Sequence, residues 1–175
     1  MKFKENRPLA WILVIICVIT STLIGSYVSL SSKRTEVINS FYDTMDTDLN
    51  TKSSYADNMA GIASRYIDAN SEYITDMSQA RAQLLDADTV REKYLASVAI
   101  TNAASALYDI LGTMELTETD DRLRRSNYAD ILSVDDILSR SSFNSNVEEF
   151  NTQLTAFPAN ILSAVTGVEA AEYFR

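Results

Sequence analysis

Residues Pro8–Ser32 read PLAWILVIICVITSTLIGSYVSLSS and carry no charge. A helix rises about 1.5 Å per residue, so roughly 20 such residues cover the ~30 Å hydrocarbon core of a bilayer. The run suits a membrane-spanning helix or a signal peptide. Secretory signals have an apolar segment of about 7 to 15 residues followed by a small-residue cleavage site. Here the apolar stretch extends from Leu9 to Ile24, although Ser29, Ser31 and Ser32 follow it. The expectation is a retained single transmembrane helix over 8–32, with 1–7 a short basic N-terminus and 33–175 a separate body. Trp11 and Tyr27 stand near its ends, where rings with one polar atom favour the headgroup zone, and Ile15 and Ile19 lie between them. Positive charge favours the cytoplasmic side. Lys2, Lys4 and Arg7 precede the run against Lys33 and Arg34 after it, which favours a cytoplasmic N-terminus and an outer body at a cell membrane.

Charge narrows the partners. Three of the 15 basic residues and one of the 24 acidic ones precede Pro8, leaving a net charge of −11 for the rest. So acidic a body repels phosphate backbones, and no nucleic-acid partner is expected. Histidine is absent, and the single cysteine, Cys17, lies inside the apolar run. Zinc and transition-metal sites draw mostly on His and Cys, and catalytic triads need His or an equivalent base. No cofactor, metal or catalytic residue is therefore expected. Ile15 and Ile16 precede Cys17 where a lipoprotein signal has a small residue, so Cys17 reads as a packing or lipid-facing residue.

Beyond Ser32 the chain lacks breakers. Gly61 and Gly112 are the glycines before Gly167, and Pro158 is the one proline after Pro8. Without such punctuation or strand-like alternation, long helices are the default. Val37, Ile38, Phe41, Met45 and Leu49 form an apolar stripe that could continue the first helix as a stalk. Met59, Ala63, Tyr66, Asn70, Tyr73, Met77, Ala80 and Leu84 then recur at spacings of four and three, which predicts one heptad seam with Asn70 as a buried register-setting residue. Met59, Tyr66, Tyr73 and Met77 are its candidate packing or interaction residues. Thr89 and Glu92 form a capping box that opens a third helix, with an apolar face through Leu95, Val98, Ala99, Ala103, Ala106, Leu107, Ile110, Leu111 and Met114 and a weak point at Gly112. A fourth helix is predicted from about Thr119 to Phe157, with Thr119, Asp120 and Asp121 as cap and first-turn acids. Its stripe runs through Leu123, Tyr128, Ile131, Leu132, Asp135 and Leu138, then Phe143, Val147, Phe150, Leu154 and Phe157. A phase slip over residues 139–142 predicts a kink, with a loop as the other option. Pro158 ends it, and a short helix from Asn160 to Thr166 closes at Gly167.

The residues with chemical potential have ordinary structural readings. Asp46, Asp48 and Asn50 have the spacing that opens a calcium loop, with Asp57 twelfth, but Thr51 replaces the glycine of the sixth place and Asp57 the bidentate glutamate. A solvated acidic helix end explains them better. Asp120/Asp121, Asp135/Asp136 and Glu148/Glu149 are adjacent pairs, and neighbouring helix positions diverge by about 100°, so no pair converges for acid–base work. They read as exposed. Arg122, Arg124 and Arg125 read as salt-bridge partners, and Tyr55, Tyr66, Tyr73, Tyr94, Tyr108 and Tyr128 as packing residues.

The C-terminal residues FNTQLTAFPANILSAVTGVEAAEYFR contain Phe150-Asn151, Phe157-Pro158-Ala159-Asn160-Ile161, Gly167-Val168 and Tyr173-Phe174. This resembles the LemA family, whose members end in Tyr-Asn, Phe-Pro-x-x-Ile, Gly-Phe and a terminal aromatic. Phe157, Pro158, Ile161 and Gly167 carry the motif. Ser54–Arg81 resembles the family's earlier helix, with Gln79-Ala80-Arg81 at its Ala-Arg, while Arg65-Tyr66 replaces its Gly-Tyr, its proline after Asp57 is missing, and Val168 replaces its Phe. The resemblance implies an antiparallel helical bundle on a membrane anchor, with no established catalysis or ligand, and an N-terminus outside, opposite to the charge count.

The expected protein is all-α: one transmembrane helix followed by an antiparallel bundle of about four long helices. Its expected partners are the bilayer, through residues 8–32, and a protein partner or further copies of itself. Its expected role is a non-catalytic interaction or self-assembly module. The alternatives are an enzyme or small-ligand receptor using carboxylates in a bundle cleft, and a structural spacer in a membrane assembly.

Overall fold

The computed structural model describes residues 7–175; Lys2, Lys4 and Glu5, which enter the charge count, lie outside the described residues. Among the described residues six helices follow one another: α1 Arg7–Ala63, α2 Glu72–Asp86, α3 Val90–Gly112, α4 Glu118–Ser139, α5 Phe143–Thr155 and α6 Ala159–Thr166. No strand occurs among the described residues. The chain divides into two compact units. The first holds the described residues up to Ile38 together with Ser145–Ala171, and the second holds Asn39–Asn144 with Glu172–Arg175.

In the first unit, the uncharged run forms the N-terminal part of α1, with its apolar side chains outward: Trp11, Ile15, Ile19 and Tyr27 are all exposed. An 18-residue window there has a mean hydropathy of 2.3 and none of it is buried, so α1 is long and apolar enough to cross a membrane. The same holds by length and composition for α3, whose apolar face is used within the second unit. Val147, Phe150 and Leu154 of α5 are buried, and Asn151 grips the backbone beyond α6: its side-chain nitrogen donates to the Ala171 carbonyl at 3.0 Å and its oxygen accepts from the Ala171 amide at 2.8 Å. Gly167, at φ 74°, supplies the left-handed residue that stops α6, and its amide bonds the Ser163 carbonyl at 2.8 Å. The preceding Phe157–Pro158 peptide is cis.

In the second unit, the C-terminal part of α1 meets α2, α3 and α4. Its core includes Phe41, Met45, Leu49, Met59, Ile62, Met77, Leu84, Ile100, Leu107, Leu111 and Ile131. Polar links show the order of contact. Tyr42–Asp88, just ahead of α3, then Asp46–Lys93 and Lys52–Ser97 climb α1 and α3 together, whereas Lys52–Asp135, Asn58–Asn127 and, just past α1, Arg65–Asp120 descend α4. Phe41 packs edge-on to Phe143 at 5.2 Å between ring centroids and lies 5.7 Å from Phe174. Asn144 holds the Phe174 backbone as Asn151 holds that of Ala171, donating at 3.0 Å and accepting at 2.8 Å.

Four expectations change. The seam from Met59 to Leu84 is not one helix: α1 stops at Ala63 and α2 starts after Ser71. Asp68 turns back on the Asn70 amide at 2.7 Å, which gives the intervening residues a non-helical bonding pattern, and Asn70 is exposed rather than buried. The Asp46–Asn50 stretch is not a helix end but the interior of α1, where Asp46 pairs with Lys93 at 3.2 Å. The phase slip at 139–142 is a turn that separates α4 from α5, and α5 ends at Thr155, leaving Phe157 outside the stripe and exposed. Finally, α4 begins at Glu118 with Thr117 rather than Thr119 as its cap, while Asp120 and Asp121 stand in its first turn as expected.

The capping box at Thr89 is formed as the spacing predicts: its hydroxyl accepts from the Glu92 amide, and the Glu92 carboxylate accepts from the Thr89 and Asp88 amides, which lowers its pKa. Thr89→Ala should therefore cost about 1 kcal/mol of stability and Thr89→Ser much less, as read from urea unfolding of the full chain in micelles.

Candidate functional site

The polar chemistry of the second unit is concentrated at two internal clusters. Lys52 continues the buried row Met45, Leu49, Ala56, Met59 and Ala63 on α1, so its position on the helix turns it inward. It is 0% exposed. Its ammonium donates to the Ser97 carbonyl and hydroxyl, both at 2.8 Å, and to Asp135, whose other carboxylate oxygen accepts from Thr101 at 2.7 Å. Burial pushes the Lys52 pKa down, and the bond and charge of Asp135 oppose that.

The second cluster surrounds Asp120, which is almost fully buried at the start of α4. One oxygen accepts from Arg65 and the other from the Tyr66 hydroxyl at 2.6 Å. That hydroxyl accepts in turn from the Thr117 amide at 3.2 Å. The Tyr66 bond is the chief cause holding the Asp120 carboxyl below the ordinary Asp range, with Thr117 and Arg65 adding to it against the cost of burial. Nearby, Arg124 binds Asp121, donates to the Tyr108 carbonyl at 2.7 Å and lies 4.2 Å above the Tyr108 ring. Its guanidinium occupies the space that a Cβ on Gly112 would meet at 3.0 Å, so the absent side chain of Gly112 admits it.

These clusters correct the reading of α4 and of the paired acids. The buried residues of α4 are Asp120, Arg124, Asn127, Ile131, Val134 and Leu138, while Leu123 and Leu132 face out. Three polar residues occupy a heptad row, which shifts the apparent stripe. Asp120 and the half-buried Asp135 are ion-pair partners of other segments rather than exposed acids, whereas Asp121 pairs with Arg124 and Arg125 of α4 and Asp136 with Arg140 just past its end. Glu149 accepts from Gln153 one turn on. Likewise Ser97, not Leu95 or Val98, faces inward on α3, and those two apolar residues are exposed.

Of the seam residues, Met59 and Met77 are fully buried on different helices, while Tyr66 and Tyr73 are half-buried. Between α2 and α3 a shallow furrow runs over Ala80, Ala96, Ala99, Ala103 and Ala106. It has two adjoining parts of about 490 and 340 Å³ that share Gln79 and Gln83, with Asp76, Asp86 and Glu92 among its walls. In the first unit, Phe157, Pro158 and Ile161 are exposed and Gly167 sits at the helix stop. Among the described residues no cluster of three or more acids or cysteines is placed to hold a metal.

An apolar N-terminal helix leading into an all-helical body defines a class of helical proteins compatible with membrane anchoring. The chain belongs to the LemA family, whose model matches residues 42–175. No curated protein matches it.

Two expectations follow from the clusters. Asp135→Asn strands a buried ammonium and should cost roughly 2 to 4 kcal/mol, the lower half being favoured by the 35% exposure of the Asp135 side chain. Replacing both partners, Lys52→Met with Asp135→Leu, should cost less than the sum of the single changes; a double-mutant cycle with coupling below about 0.5 kcal/mol would sink the pairing. Asp120 has a depressed pKa in the fold, so its stabilisation is present above the ordinary value of 3.8 and is lost as pH falls through the folded value. The stability gap between wild type and Asp120→Asn should then be wide at pH 7 and close in acid, and a gap independent of pH would contradict the geometry.

Proposed function

We propose that this is a single-pass membrane protein whose body, an antiparallel bundle of the four helical segments around Lys52, binds a partner helix or further copies of the chain rather than catalysing a reaction. The observation that supports it is the furrow between α2 and α3. Its alanine floor allows close approach of a helix backbone, and its acidic walls suit a helix carrying Lys or Arg. Exposed Leu95 lies in the furrow wall, and exposed Val98 lies one turn further along α3. The buried polar groups of the two clusters are engaged with one another, and this supports a scaffold over a carboxylate-based enzyme.

In this reading the uncharged run holds the body at a bilayer surface, which raises its local concentration relative to other membrane proteins. The charge balance across the run, three basic residues before it against two directly after it, supports a body on the outer face of the cell membrane. The proposal is tested by a photo-crosslinking residue at Gln83 in membranes, followed by mass spectrometry. A discrete product with a second copy or with one protein is expected, and its formation should fall when Ala103→Arg blocks the furrow. Absence of any product, or a product indifferent to Ala103→Arg, sinks the furrow as the binding surface. Protease added to intact cells should digest the body; protection would reverse the orientation.

A further inference from the structure

α6 has no charged side chain, yet it contributes no buried residue to the fold. Ile161 and Val165, one turn apart, are exposed on it, with exposed Ala164 beside them. Phe157, in the turn leading into α6, is 81% exposed, more than any other large apolar side chain among the described residues, including Trp11 at 68%. Isolated surface apolar residues are ordinary, but an uncharged helix edge next to so exposed a phenyl ring calls for a covering surface.

What covers it follows from where α6 is fastened. Within the first unit, Lys33 Nζ donates to the Gln153 side-chain oxygen at 3.0 Å, and Arg34 Nε donates to the Glu169 carbonyl at 3.1 Å. Tyr27, Ser31 and Arg34 form with Gly167, Val168 and Glu169 a concavity of about 190 Å³. The chain on both sides of α6 is thus tied to α1 where the uncharged run ends. Lys33 and Arg34 are the first charges after that run and mark the level at which a spanning α1 leaves hydrocarbon.

We propose that α6 is a second membrane contact, lying on the bilayer surface beside the emerging anchor, with Phe157, Ile161 and Val165 sunk in the headgroup and upper acyl region. Short apolar helix faces of this kind bury roughly 5–10 Å into that boundary. A lipid surface is the occupant because the flanks of α6 are tied to Lys33 and Arg34, and the residues just after it, Gly167, Val168 and Glu169, adjoin Tyr27 at the end of the exposed apolar surface of α1. Since α6 carries no cation, its attachment draws on apolar area and not on anionic lipid. The proposal rests on the anchored reading of residues 8–32.

The test places an environment-sensitive fluorophore on single cysteines, introduced as Ile161→Cys, Val165→Cys or Ile15→Cys, in the full chain carrying Cys17→Ala. Each is reconstituted at high lipid dilution in phosphatidylcholine vesicles, with and without shallow doxyl-labelled phosphatidylcholine. The probes at 161 and 165 should show blue-shifted emission and lose most of it to the doxyl lipid, unchanged by high salt or further dilution. A probe at 15 that is shielded as an embedded residue, with probes at 161 and 165 that are water-exposed and unquenched, overturns the proposal while leaving the anchor intact. Loss of shielding at all three overturns both. Shielding at 161 and 165 that disappears on dilution assigns the patch to a second copy of the chain and also overturns it.

Discussion

A primary ammonium removed from water needs an acceptor for each of its hydrogens and a negative charge nearby, and Lys52 finds both only where α1, α3 and α4 meet. The second unit follows from that requirement. Ser97 must face inward to offer its carbonyl and hydroxyl, which sets the rotation of α3 and leaves Leu95 and Val98 outside. Asp135 must approach from α4, which sets that helix against both others. An aliphatic residue at position 52 would be satisfied by many packings, whereas the three bonded acceptors fit one.

The end of the second unit near Asp120 uses the same logic with a buried anion. Tyr66 lies beyond the last turn of α1, in a segment that leaves the helix, and its hydroxyl joins the Asp120 carboxylate to the free Thr117 amide at the α4 entrance. One phenol therefore links the α1–α2 connection to the start of α4. Arg124, stacked on Tyr108 and admitted by Gly112, joins the end of α3 to the same helix. Charges whose acceptors come from different helices resist sliding of one helix past another, as apolar rows by themselves do not.

The first unit is fastened differently. Asn151 holds the non-helical residues after α6 by both of its amide atoms, and Lys33 and Arg34 hold the chain to either side of α6. Its apolar surface is turned outward along α1 and α6, the reverse of the arrangement in the second unit. Such a surface is compatible with hydrocarbon surroundings, and the proposed membrane reading gives the exposed run of α1 and exposed Phe157 one solvent.

Local rules in the sequence were enough to determine the uncharged run, the helical class, the Thr89 capping box, the stop at Gly167 and the apolar rows Phe41–Met45–Leu49 and Phe143–Val147–Phe150–Leu154, because each depends on neighbours within a turn or two. The C-terminal Phe157-Pro158 motif likewise made the family legible. Lys52 stood on a heptad row, yet the row alone could not show that Ser97 and Asp135 lay opposite. Asp120, Arg124 and Asn127 disguised the buried face of α4 as a polar one, and the end of the Met59 seam depended on a turn at Asp68 that competes with helix. Only the tertiary structure decided which polar residues face inward, since a polar side chain is buried when, and only when, distant parts of the chain bring it partners.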